Sequence, residues 1–212
     1  MNLSINMMKN LNTKLLYFIV LCAFSLLILT NNSNAQSLSE SLTTFNQQRI
    51  DLNTKGMYIL SGWAISNIAV GSIGYFKSSG STKYVHQMNV GWNLINLAIA
   101  GGALYQYGQA DPTTFSLAQS LNEAQSIEQI LLLNIGLNVG YMATGGFLWE
   151  RGLRKSKDRF IGYGQSLIIQ GGFLLLFDST LYLLNQTNNE KLDMILKTVS
   201  IQGTQLSVTI PL

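Results

Sequence analysis

Carboxamides fall inside long apolar stretches, foremost Asn67, Asn93, Asn96, Asn134, Asn138 and Gln170. A carboxamide both donates and accepts hydrogen bonds, and hydrocarbon offers it no partner. Two kinds of chemistry fit. The amides bond to one another across packed helices, or they line a polar path for a small solute or ion. Asp178 is an ionisable group in the last apolar stretch. Such groups are costly in lipid and usually pair. Arg49 or Lys55, at the start of the first stretch, are the expected partners, and a proton or cation site is the sharper alternative. His86 is the only histidine. With no second His, no Cys and no facing carboxylate it makes a poor metal site. A packing or interface role is expected of it, with a pH-sensitive contact as the alternative.

Other chemistry is missing. The chain carries no HExxH, GxSxG, Walker loop or dinucleotide fingerprint, and no paired carboxylates fall at one depth. The expectation is a protein that is not an enzyme, with no catalytic residue, metal or cofactor.

These residues need elements to position them. Of 212 residues, 47% are hydrophobic and 11% charged, where soluble domains carry roughly 25% charged residues. That deficit excludes an ordinary soluble enzyme and points to a membrane protein. The net charge of +3 does not imply nucleic acid, because the basic residues sit in short clusters between apolar spans. Lys9 and Lys14, the apolar run 15–30 and Ser33-Asn34-Ala35 read as a signal peptide over residues 1–35. The only cysteine, Cys22, lies within it, so processing would leave no thiol. Residues 36–55 read as an amphipathic extracytoplasmic helix, with Leu38, Leu42, Phe45 and Leu52 beside Glu40, Arg49 and Asp51. Residues 56–186 then form a transmembrane domain with spans at roughly 56–76, 86–107, 127–149 and 160–184, each near the ~20 residues a bilayer core needs. Residues 187–212 form an extracytoplasmic tail. Val199, Ile201, Leu206, Val208 and Ile210 alternate there with polar residues and read as a strand or hairpin. The fold class expected is an all-α membrane four-helix bundle of two helical hairpins with a short β-like C-terminal tail.

The loops give an orientation. Lys77 and Lys83 flank one connection, and Arg151, Arg154, Lys155, Lys157 and Arg159 crowd another, while residues 108–129 hold no Lys or Arg. The positive-inside rule places the two basic connections in the cytoplasm. Both mature termini then face the periplasm of a bacterial inner membrane, and the lipid bilayer is the first partner. A membrane-protein partner or a second copy is a further candidate. Pro112 and the Ser120–Glu123 spacing suggest a short helix with a capping box in the outer loop.

Within the spans the polar residues lie in stripes. His86, Asn89, Asn93, Asn96, Ala100 and Ala103 follow steps of three and four and share one face. Val90, Leu94, Leu97 and Ile99 are left for lipid. Counted from the charged flanks, Asn67, Asn96, Asn138 and Gln170 come to similar depths, one amide per helix. Gly71, Gly101, Gly102, Gly136, Gly140 and Gly171 are expected to let backbones approach. The two halves also repeat a pattern of span, basic loop and span, which suggests a parallel repeat about an axis along the membrane normal. In that repeat the run ending at Asn67 is set against the run ending at Asn138.

The stretches TKGMYILSGWAISNIAVGSIGYF and KYVHQMNVGWNLINLAIAGG resemble a group of small multi-span proteins from Bacteroidota, classed as a domain of unknown function. The resemblance covers about residues 40–185 and rests on the Gly-Trp-Ala-x-x-Asn and His-Gln-Met-Asn…Trp-Asn runs. It implies an envelope location and this topology, and brings no catalytic residue or substrate. Two functions stay open: a non-enzymatic scaffold or accessory component, and a small-solute or ion transporter or channel built on the amide layer.

Overall fold

The two prolines stand at 112 and 211, so little in the chain before them interrupts a backbone hydrogen-bond ladder. The computed structural model describes the backbone of residues 2–207 and the side chains of residues 38–197. It contains α1 (Asn2–Lys77), α2 (Gly80–Gln109), α3 (Leu117–Lys155) and α4 (Asp158–Ser207), and no strand among the described residues. Residues 1–41 form one compact unit and residues 42–212 another, and the helical bundle is the second. The side chains that carry the signal-peptide reading of residues 1–35 lie outside the described residues.

The helices run up and down as two hairpins with tight connections. Ser79 precedes α2, and Gly80 takes φ +59° at its first turn, a conformation that costs glycine nothing. At the other connection Ser156 adopts the left-handed region, and Lys157 N–H closes onto the Gly152 carbonyl at 2.9 Å. Between the hairpins the chain turns at Asp111–Thr114. Pro112 sits in that turn instead of starting a helix. The capping box is Ser116 with Gln119. Ser120, expected to be the cap, is instead a buried residue of α3 that accepts from Asn46 at 2.9 Å.

The strand expected from Val199, Ile201 and Leu206 is not found, because α4 stays helical to Ser207. Extending an existing helix avoids the cost of nucleation, whereas two isolated strands are marginal. Val208 and Ile210 lie outside the described residues. Residues 42–55 run into the first span without a break. Their inward face holds Phe45 and Ile50 together with Asn46, Arg49 and Asn53.

Burial is reversed over the middle of the bundle. Ile65, Val70, Ile73, Leu94, Ile99, Leu133, Val139, Leu176 and Leu183 face outward, while Asn93, Asn96, Asn138, Ser166, Gln170 and Asp178 are buried. A water-soluble fold would invert that arrangement. Three helical segments, Leu38–Lys77, Leu117–Lys155 and Asp158–Lys197, are long and apolar enough to cross a membrane. Four spans were expected. α2 is about 45 Å long, which suffices, but its amides lower its hydropathy below that of the others. Cations mark the end with the tight connections: Lys83 lies 4.7 Å from the Tyr75 ring centroid, Arg159 lies 5.1 Å from Tyr163 and Arg151 lies 5.8 Å from Phe147.

Glycines set the helix spacing, though not all those expected. A Cβ on Gly164 would lie 2.5 Å from both Gly145 O and Trp149 N, and one on Gly71 would lie 2.8 Å from Val90. Val90 therefore packs against α1 instead of lipid. Gly171 likewise meets Met142, but Gly101, Gly102, Gly136 and Gly140 face open space. The Gly136-xxx-Gly140 spacing brings no backbone close.

Candidate functional site

Gln170 of α4 is the centre of the polar interior. It is fully buried, as is Asn93 of α2. Its carbonyl accepts from Trp63 Nε1 at 3.0 Å and from Asn93 Nδ2 at 3.1 Å. Its Nε2 donates to Asn67 Oδ1 and Asn89 Oδ1, both at 3.2 Å. A glutamine side chain offers two lone pairs and two N–H groups, so all four positions are used. Ser166, one turn before Gln170, donates to the same Asn89 oxygen. Residues 63 and 67, 89 and 93, and 166 and 170 are each one turn apart, so three helices each present a pair of polar groups to one point. Local bonds complete it: Asn67 and Asn93 also donate to the Trp63 and Asn89 carbonyls, at 2.9 and 2.8 Å.

The expected layer therefore divides. Asn67, Asn93 and Gln170 meet, joined by Asn89, Ser166 and Trp63, which were not expected in the layer. Asn96 reaches Asn93 only at 3.4 Å. Asn138 of α3 belongs elsewhere and donates to Asp178 Oδ2 at 2.7 Å. Asn134, half-buried, shares a side groove with Asn96, Asn138 and Asp178. Counting depth from each charged flank assumes a common start, but α3 and α4 pack with 138 opposite 178.

Asp178 does not meet Arg49 or Lys55. Asn53 pairs with Asn185 on α4, exchanging bonds of 2.9 and 3.2 Å. Arg49 lies beyond that level, so about 11 residues or ~16 Å of helix separate it from Asp178. The Arg49 guanidinium is instead buried beside Glu123 of α3 at 3.4 Å, with Asn46 Oδ1 at 3.3 Å and the Phe115 ring 5.0 Å away. Lys55 is exposed and borders an apolar groove between α1 and α4. His86 is half-buried, and its ring occupies the space a Cβ on Gly74 would need, at 2.4 Å. It packs α2 on α1 within the chain, with Nδ1 buried and unpartnered. Among the described residues no cluster of three or more His, Cys, Asp or Glu side chains could hold a metal ion.

The side groove has a volume of about 290 Å³ and lies between α2 and α3. Trp92 and Tyr141 meet edge to face at 4.8 Å on its wall. Residues 59–179 match the model of the family of unknown function DUF6992. The chain belongs to DUF6992. No curated protein and no solved structure matches it. The DUF6992 segment contains the whole Gln170 network and the Asn138–Asp178 pair, and leaves out Asn46, Arg49, Asn53 and Asn185. That outer set was legible as a stripe at 46, 49 and 53, spaced by three and four, but its partners Ser120, Glu123 and Asn185 were not.

Proposed function

We propose that this DUF6992 chain is a non-enzymatic helical scaffold or accessory protein of a bacterial inner membrane. Its membrane character is supported by the three spanning-length apolar helices and the reversed burial. The observation that carries the scaffold reading is the saturation of Gln170. A solute path through the amide layer needs hydrogen-bonding positions that a passing molecule can take up. At Gln170 none is left, and the side chain is fully buried. The amides instead fix which faces of α1, α2 and α4 meet.

The orientation with both mature termini in the periplasm rests on the basic residues around the two tight connections. Cysteine substituted at Ser79 should react with an impermeant maleimide only from the cytoplasmic side, and at Thr114 only from the periplasmic side. For the function itself, the full chain is reconstituted into liposomes and assayed for K⁺ and small neutral solute flux, alongside the unfolding of Gln170→Leu. Absent flux with a destabilised variant supports the scaffold. Flux by the wild type that a stably folded Gln170→Leu abolishes would overturn it.

A further inference from the structure

We propose that the groove between α2 and α3 is a binding site for an organic ammonium group carried on an apolar body, open to the bilayer at its side. The proposal goes beyond the scaffold reading, and its groove is lined by none of the side chains bonded to Gln170.

The contacts between the two hairpins pair residues at constant offsets. Asn46 with Ser120 and Arg49 with Glu123 are 74 apart, while Asn89 with Ser166 and Asn93 with Gln170 are 77 apart. Residues facing their own counterparts are what a pseudo-twofold axis along the bundle produces. This register replaces the one that set Asn67 against Asn138. The counterparts of Leu137 and Asn96 are then Trp63 and Phe173. On the α1–α4 side those two rings stack at 3.8 Å with planes 4° apart and fill the space at their level, beside the separate apolar groove that Lys55 borders. On the α2–α3 side Leu137 and Asn96 leave it open. Asp178 adds a second asymmetry, since its counterpart is Gly101.

The chemistry of the open side is one-signed. Asp178 accepts one hydrogen bond, from Asn138, and no cation among the described residues lies within ion-pair distance of it. The Asn134 amide makes no hydrogen bond among the described residues, and the Asn96 carbonyl accepts none. A carboxylate with two amide oxygens, in a groove walled otherwise by Leu60, Ile95, Ile99, Leu137 and Leu174, calls for a positively charged donor. A bare metal ion needs oxygens closing in to about 2.0–2.6 Å. A volume of 290 Å³ walled by Leu60, Ile95, Ile99 and Leu174 is too large and too apolar for one. An ammonium with a hydrocarbon or aromatic body fits, and Trp92 and Tyr141, further along the groove, offer ring surfaces to the body. Ile95, Ile99 and Leu137 are exposed on the groove's flanks, where lipid reaches them. The ammonium can come from a phosphatidylethanolamine headgroup or from a free amphiphilic amine.

The full chain in phosphatidylcholine nanodiscs is dialysed against labelled phenylethylammonium, with empty discs and neutral phenylethanol as controls. Native mass spectrometry of the purified chain reads retained phosphatidylethanolamine. Asp178→Asn keeps an acceptor for Asn138 and removes the charge. The double variant Asn96→Phe with Leu137→Trp copies the closed side. Saturable ammonium binding, at least tenfold weaker in Asp178→Asn, lost in the double variant and unmatched by the alcohol, supports a site for a free amine. Phosphatidylethanolamine held by the wild type and lost from Asp178→Asn supports the site and assigns it to lipid. Equal affinity of wild type and Asp178→Asn for both probes overturns the proposal. So does binding of the alcohol as tight as that of the ammonium, or no preference for the wild type by either probe.

Discussion

Replacing Gln170 by Leu removes the junction of three helices at nearly constant side-chain size. Four hydrogen bonds disappear, from Trp63 and Asn93 and to Asn67 and Asn89. Interhelical bonds in membranes average about 0.6 kcal/mol each, which gives roughly 2.4 kcal/mol. Asn67 and Asn93 retain bonds to their own helices, and Asn89 keeps Ser166. The Trp63 N–H loses its partner within the bundle, which adds ~1 kcal/mol or more. The expected loss is therefore roughly 3–4 kcal/mol. Reversible unfolding in mixed micelles with increasing denaturing detergent measures it. Lipid-facing Leu176→Ala is the control, expected within about 0.5 kcal/mol of wild type. A double-mutant cycle with Asn93→Ala should return a coupling near 0.6 kcal/mol. A loss below 0.5 kcal/mol for Gln170→Leu would refute the reasoning, because a saturated buried glutamine would then be holding nothing.

The glycines give a paired prediction: Gly164→Ala forces a methyl to within 2.5 Å of backbone atoms of α3 and should cost about 1–3 kcal/mol, while Gly136→Ala meets nothing and should be neutral or stabilising by up to about 1 kcal/mol. Thermal unfolding of the two variants checks the order. At the end of the bundle away from the tight connections, Glu123→Ala strips a buried guanidinium of the one carboxylate that pairs with it among the described residues and should destabilise more than Arg49→Met, which removes the charge along with its partner's role; the reverse order would contradict the assignment. In the turn, the Thr113 hydroxyl and amide both donate to Asp111 Oδ1, at 2.7 and 2.9 Å, and hold its carboxyl below the ordinary value of 3.8. The carboxylate's contribution to the turn is thus fully present above pH 3.8 and lost as the pH falls through the lowered value. An NMR titration of Asp111 should show a midpoint below 3.8, and Thr113→Val should raise it.

Composition and spacing alone determined that the apolar spans are helical, that they suit a bilayer, and that their amides face inward. These follow from local rules, since lipid offers an amide no partner and a helix repeats every 3.6 residues. The same rules named Asn67, Asn93 and Gln170. They were blind to which amide meets which, because a shift of one turn between two helices leaves every stripe intact while changing all the partners. Only packing set that register: Gly71, Gly145, Gly164 and Gly171 fixed where backbones touch, so Asn138 met Asp178 instead of Gln170, and Arg49 found Glu123. The tail was misread for a related reason, since alternation over a few residues is a weak local signal beside a helix already formed. The open groove was invisible in the sequence, since it depends on two rings filling one side of a pseudo-symmetric bundle and an amide and a leucine leaving the other unfilled.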